Sequence, residues 1–266
     1  MLRVATDRLE SLGRAVMGVV GELGFAAALL GQSLFFLILG KARQQPVRLR
    51  LIFREAMEVG IRALPIVSIL AAAIGVMLAI QGIYMLSAFG AQERVTTGIA
   101  LSVLREFSPL ITGILVAGRS GSALAARLGT MTINQEVAAL EVMAINPVRY
   151  LVVPPLVAMV IIVPALTMWS NITAILGAGL FVSLDLGISM GTYLERVMDT
   201  ARTNDLLHGL SKSALFGILI AIIGVVNGAS VKGGAEGVGR VTTRSVVHSI
   251  SAIVIADMIV AFVLTR

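Results

Sequence analysis

The 266-residue chain contains no cysteine. That removes a disulfide framework, a thiolate metal site and an iron–sulfur cluster from consideration. Histidine is nearly as scarce: His208 and His248 stand at the ends of separate apolar segments, with no second ligand type close by in sequence. Charge is thin, with Asp, Glu, Lys and Arg at 14% of the residues against about 25% in soluble domains. Missing too are the patterns of unaided catalysis. There is no G-x-x-x-x-G-K-[ST] phosphate loop, no G-x-S-x-G elbow, no H-E-x-x-H pair and no G-x-G-x-x-G fingerprint. The glycine run at 233–239 has neither the spacing nor the preceding strand of a phosphate cradle. The expectation is a chain that is not an enzyme and holds no metal or cofactor of its own.

What is present is apolar. Hydrophobic residues make up 57% of the chain and mean hydropathy is +0.95. A soluble fold of this size cannot hide so much apolar surface, so lipid must solvate most of it. A disordered chain, a coiled coil and nearly every soluble enzyme are excluded. The net charge of +6 would point to nucleic acid in a soluble protein. Here most Lys and Arg residues sit between apolar runs, so the excess reads as topology and contact with anionic lipid.

A bilayer core needs about 20 helical residues, and segments of that kind occupy 59–89, 95–118, 151–182, 208–230 and 244–265. Residues 63–92, 151–184 and 213–231 carry no charge, and the first two runs are long enough to tilt or to extend beyond the lipid. Residues 15–40 are apolar apart from Glu22, and either cross or enter and leave by one face. Ahead of them, residues 1–13 lack the apolar core of a signal peptide. Leu2, Ala5, Leu9, Leu12 and Val16 share one helical face there, which suits a helix lying on the membrane surface.

The positive-inside rule puts the densest basic run (Lys41, Arg43, Arg48, Arg50 and Arg54) in the cytoplasm. Counting onward, 119–149 and 232–244 face in, while 90–94 and the acid-rich 183–206 face out. A full crossing at 15–40 would strand Arg3, Arg8 and Arg14 outside. The expected fold is therefore an all-α membrane protein of about five transmembrane helices. It adds an N-terminal interfacial or re-entrant helix over 1–54 to a five-span domain over 55–266, with the N-terminus cytoplasmic and the C-terminus outside. Gly224-x-x-x-Gly228 and Gly113-x-x-x-Ala117 offer small surfaces for close helix approach. No internal repeat is visible, which counts against the inverted-repeat carriers.

Two features carry function. In 119–150, Thr132-Ile-Asn-Gln135 has the form of a capping box. Val137, Leu140, Glu141 and Ala144 follow at helical spacing, and Asn146-Pro147 stops the helix. The segment is either a plain surface helix or a coupling helix that docks on a motor subunit. Within the spans, Arg105, Glu106, Lys212 and Asp257 would each cost about 2.5–3.5 kcal/mol at the centre of an isolated helix. They either pair to hold helices together or line a polar pocket. Depth estimates place Lys212 and Asp257 close enough to pair if their helices touch, while Arg105 and Glu106, about 100° apart on a helix, need separate partners.

Seven motifs stand in order along the chain: Arg105-Glu106-Phe-Ser-Pro109-Leu, Val116-Ala-Gly-Arg119-Ser-Gly-Ser-Ala, Leu128-Gly-Thr-Met131, Ala139-Leu-Glu-Val-Met143 through Asn146-Pro147-Val-Arg149-Tyr-Leu, Val152-Val-Pro154, Lys212-Ser and Thr242-Thr-Arg244-Ser-Val-Val-His248-Ser. They resemble the MlaE-type permeases, the membrane subunits of ABC transporters that work with MCE-domain proteins in phospholipid transport. The likeness covers about 50–266 and thins toward the N-terminus. The chain departs from the pattern at Arg127, where an acid is usual, at Ala144, where Gly is usual, and at Ala138, where Asp is frequent. The resemblance implies a homodimer with two ABC ATPase subunits that supply ATP and Mg, and a periplasmic MCE-domain hexamer outside. Phospholipid would pass between the protomers in a bacterial inner membrane, in support of outer-membrane lipid asymmetry. Two other readings remain open at this level: a self-contained ion-coupled secondary transporter with Glu106 and Asp257 as relay acids, and a membrane scaffold.

Overall fold

The computed structural model describes residues 2–39 and 48–264; of residues 2–16, 19 and 264 only the backbone is described. The basic positions 41 and 43 and the apolar face expected on the first helical turns therefore lie outside the described side chains. Among the described residues there are helices and turns but no strand. The helices are α1 (Leu2–Leu39), α2 (Leu49–Gly60), α3 (Leu64–Ser87), α4 (Val95–Ser102), α5 (Ser108–Val116), α6 (Ser122–Ile133), α7 (Glu136–Val142), α8 (Val153–Leu186), α9 (Met190–Thr200), α10 (Thr203–Ala229) and α11 (Gly234–Leu264). Wider π-helical turns at Val103–Phe107 and Ala117–Gly121 join α4, α5 and α6 into one long helix, and a third at Val148–Val152 leads into α8.

Among the described residues, six stretches are long and apolar enough to cross a membrane: Val20–Leu39, Leu49–Ser87, Gln92–Ile133, Val148–Leu186, Thr203–Ala229 and Gly234–Val263. The last five contain the five spans expected from the sequence, and the chain is an all-α, multi-pass membrane protein. The first is part of α1, which runs unbroken, so residues 15–39, the described part of the expected 15–40 segment, do not turn back as a re-entrant element must. Its neighbours lie at the α7 end of the bundle. Leu29 packs in the cluster that holds Leu128, Val152 and Val225, and Glu22 pairs with Arg244 at 2.5 Å. The division expected at 54/55 falls inside α2, because no breaker interrupts 49–60 and that helix packs on α8.

Boundaries differ in three further places. Residues 119–133, expected as loop, continue the preceding helix. The Thr132 hydroxyl donates to the Leu128 carbonyl and does not cap a new helix, so the capping box is absent. The segment 183–206, expected outside, is largely helical, through the end of α8 and α9. The helix expected from 208 begins at Thr203, where the Asp205 carboxylate accepts the Arg202 backbone N–H at 3.1 Å.

Helix approach rests on small residues. Between α3 and α8, a Cβ on Gly75 would lie 2.0 Å from the Ala174 carbonyl oxygen, and one on Gly177 2.5 Å from that of Ala72. Both expected small-residue pairs are used on α10 contacts. Gly224 and Gly228 meet α6 at Leu124, Leu128 and Ala125, and Gly113 meets the Phe216 ring. Gly209 brings α10 against the first π-turn, its virtual Cβ 2.1 Å from the Leu104 carbonyl oxygen. Gly209→Ala is therefore expected to destabilise the protein by about 1–3 kcal/mol through overpacking. Gly98→Ala, where nothing lies within 4 Å, should be neutral. Thermal unfolding of both variants in detergent checks this.

Candidate functional site

The charges expected inside the spans do meet. α10 carries Asp205, Gly209, Lys212 and Phe216 on one buried face, at the a/d-like spacing that keeps residues in line along a helix. The absent side chain of Gly209 lets this face touch the Val103–Phe107 turn, which presents Arg105 and Glu106. Arg105 Nε donates to Asp205 Oδ1 at 2.6 Å, and a second guanidinium nitrogen contacts the same oxygen. Two turns further along α10, Lys212 Nζ lies 2.5 Å from Glu106 Oε2 and 3.1 Å from Asp257 Oδ1 on α11. The Asp257 oxygen accepts no well-aligned hydrogen bond, so the ammonium is aimed at Glu106. Arg105 and Glu106 thus find separate partners, as their angular offset required.

The level within the bundle is shared. At about 1.5 Å per residue, Lys212 lies about 14 Å from the start of α10, Asp257 about 10 Å from the end of α11 and Glu106 about 16 Å from the start of α4. Lys212 is deeper than the sequence placed it because α10 starts five residues earlier. Exposure divides the cluster: the side chains of Lys212 and Asp205 are each 2% exposed, whereas Arg105 and Glu106 are 51% and 43% exposed. One face of the cluster is locked and the other is open. Three carboxylates against two cations leave it one negative charge in excess. Asp205 was missed because it counted as an acid of an outer loop. The signal available was its seven-residue spacing from Lys212.

The second candidate, α7, spans two turns. It closes with a Schellman arrangement: Ala144 N–H donates to Glu141 O and Ile145 N–H to Leu140 O, both at 2.9 Å. Ala144 takes φ +56°, the left-handed region that favours glycine. It lies beyond the helix and not on its face, a correction to the expected repeat. The Asn146 side chain then accepts from the Val148 and Arg149 backbone N–H groups, so Asn146-Pro147, expected to stop α7, instead starts the next helix after the Schellman turn has closed α7. Val137 and Glu141 line a cleft with Leu29 and Gln32 of α1, while Leu140 turns toward Leu51 and Tyr150. Val142 and Met143 point outward, 89% and 59% exposed. Sequence reasoning passed over these two because they fall between the repeat positions. Among the described residues no group of His, Cys, Asp or Glu could hold a metal ion.

The family model described as Permease MlaE matches residues 52–263. The chain belongs to the MlaE permease family. The intermembrane phospholipid transport system permease protein MlaE of Haemophilus influenzae is 31% identical over 96% of this chain and 97% of its own. A probable ABC transporter permease of Rickettsia typhi is 32% identical over 87% and 89%. Another from Synechocystis is 36% identical over 77% and 78%. The MlaE-family match includes the three π-turns, α7 and the whole charged cluster.

The geometry of this MlaE-family cluster dictates how charge removal behaves. Lys212→Ala leaves Glu106 and Asp257 facing each other and should cost about 3–5 kcal/mol, the cost of breaking a buried pair on one side. Lys212→Met with Glu106→Gln and Asp257→Asn should recover most of it. The exchange Lys212→Asp with Asp257→Lys should not, because it sets a carboxylate against Glu106. Thermal unfolding of the three variants distinguishes these outcomes.

Proposed function

We propose that the protein is the permease subunit of an ABC-type phospholipid transporter, and that the open side of the Lys212 cluster receives the lipid headgroup. The observation that carries this reading is the asymmetry of the cluster. Buried Lys212 and Asp205 anchor Glu106 and Arg105, which offer an anion and a cation, side by side and half exposed, inside the apolar part of the bundle. A zwitterionic or anionic headgroup matches such a pair, and exposed apolar residues of α11 such as Met258 and Phe262 suit acyl chains. Membership of the family and the wording carried by the Haemophilus relative support phospholipid as the substrate.

In this reading the chain works as a homodimer in a bacterial inner membrane, with the α7 end cytoplasmic. α1 lies along that end, the N-terminus is cytoplasmic and the C-terminus periplasmic. Two ABC ATPase subunits bind ATP and Mg and dock on α7 through the Val142–Met143 tip, which α1 and the start of α8 brace from behind. Movement of that helix reaches the cluster through the continuous helix 92–133. A periplasmic MCE-domain hexamer exchanges lipid at the α9 end, in support of outer-membrane lipid homeostasis. This chain performs no catalysis; hydrolysis belongs to the partner subunit.

Glu106→Gln keeps a hydrogen-bond acceptor for Lys212 and removes one charge from the open face. The variant should insert and retain its ATPase at wild-type levels. Its ATP-driven lipid transfer between inner-membrane vesicles and the MCE partner should fall by about tenfold or more, the loss of a charge-assisted contact. Unchanged transfer would contradict the headgroup site. Transfer that needs no ATPase would instead favour the ion-coupled carrier.

A further inference from the structure

A second polar concavity lies at the opposite end of the bundle from the Lys212 cluster. It is a cleft of about 330 Å³ between α2, the Ala117–Gly121 turn, α6 and α8. Three guanidinium groups and two carboxylates face it, and they are unevenly matched. Arg127 Nη1 lies 2.8 Å from Glu55 Oε1, and Arg62 Nη1 lies 3.8 Å from Glu58 Oε1. Among the described residues Arg119 has no carboxylate partner, and its one hydrogen bond is a long 3.4 Å contact with the Glu58 backbone carbonyl. Beside it Ser120 is 8% exposed, lines the cleft and makes no side-chain hydrogen bond among the described residues. The site therefore holds one unmatched positive charge and one idle, nearly buried hydroxyl, both delivered by the second π-turn. Turns of this kind frequently mark functional positions. The floor is apolar, formed by Val59, Leu124 and Met159.

We infer that this cleft binds the phosphate of an anionic phospholipid from the leaflet at the α7 end. An Arg fork with an adjacent hydroxyl is matched to a phosphodiester. A soluble phosphate offers the same chemistry, but the surroundings favour a lipid. Leu49, Phe53 and Met57, four residues apart on α2, form an exposed apolar stripe at 68%, 68% and 58% exposure, which marks the hydrocarbon boundary beside the cleft. Arg50 and Arg54 on the same helix add attraction for an anionic surface. The assignment rests on the lipid-permease reading only for the ligand being a lipid; the cleft is separate from the Lys212 cluster and its occupancy does not require transport.

The test is native mass spectrometry of the delipidated full-length protein in detergent. It is titrated separately with phosphatidylglycerol, phosphatidylcholine and inorganic phosphate. Phosphatidylglycerol should bind most tightly. Arg119→Gln should weaken it by about tenfold, the loss of one charge-assisted contact, and Arg119→Lys, which keeps the charge but loses the fork, should fall between that variant and the wild type. Arg119→Gln should cause the same loss in a Glu106→Gln background, where the headgroup site of the other cluster is already weakened. Unaltered phosphatidylglycerol affinity in Arg119→Gln would overturn the site. So would inorganic phosphate binding as tightly as the lipid. Loss of the co-purifying ATPase with lipid binding retained would make Arg119 a protein contact and overturn it as well.

Discussion

A primary ammonium that is 2% exposed and about 14 Å along a membrane helix has to be neutralised where it stands. Lys212 imposes that requirement on everything around it. α10 must approach the α4–α5 junction closely, which Gly209 permits. The junction must turn Glu106 toward Lys212 and Arg105 toward Asp205, which the five-residue π-turn does. α11 must end at a height that brings Asp257 within 3.1 Å. Partial satisfaction would be costly, because a buried charge with a missing partner loses more than the pair gains.

The constraint also explains how the bundle can be both rigid and open. The locked members are held by α10, the helix most surrounded by others, whose glycines at 209, 217, 224 and 228 each sit against neighbouring backbone or side chains. The open members sit on the long helix that continues to Ile133 and, after a two-residue turn, into α7. A displacement at α7 therefore has a continuous helical route to Arg105 and Glu106. The two π-turns interrupt that route where the charged residues are, so each side chain is aimed by a local widening and not by a break.

Much of this was legible in the sequence, for identifiable reasons. Charges in apolar runs are expensive enough to be conspicuous, so Arg105, Glu106, Lys212 and Asp257 stood out, and depth alone brought Lys212 near Asp257. The pairing of Glu106 with Lys212 needed the inter-helix contact at Gly209, which no single-helix pattern reveals. Asp205 was hidden because polar residues at the start of a membrane helix resemble loop. The same ambiguity made 119–133 look like a connection: its arginines are tolerated there because Arg127 pairs with Glu55 and Arg119 sits at the cleft. At α7 the spacing was read correctly as helical. The Schellman end at Ala144 shortened the helix, and its outward face proved to be Val142 and Met143. Ala144 in a left-handed conformation also gives a physical reason for glycine being the usual residue there.

The most direct test of the account is contact between a lipid headgroup and the open face of the cluster, and its dependence on the motor. Phe107→benzoylphenylalanine keeps an aromatic ring next to Glu106, and the same substitution at Ile69 sits on the 69% exposed, lipid-facing surface of α3. Photocrosslinking to phospholipid carrying a labelled headgroup would be followed in the assembled transporter, with and without ATP turnover. The account predicts headgroup crosslinks at 107 that disappear during turnover, and none at 69 in either state. Equal labelling at the two positions, or labelling at 107 that ignores ATP, would contradict a headgroup site at the Lys212 cluster.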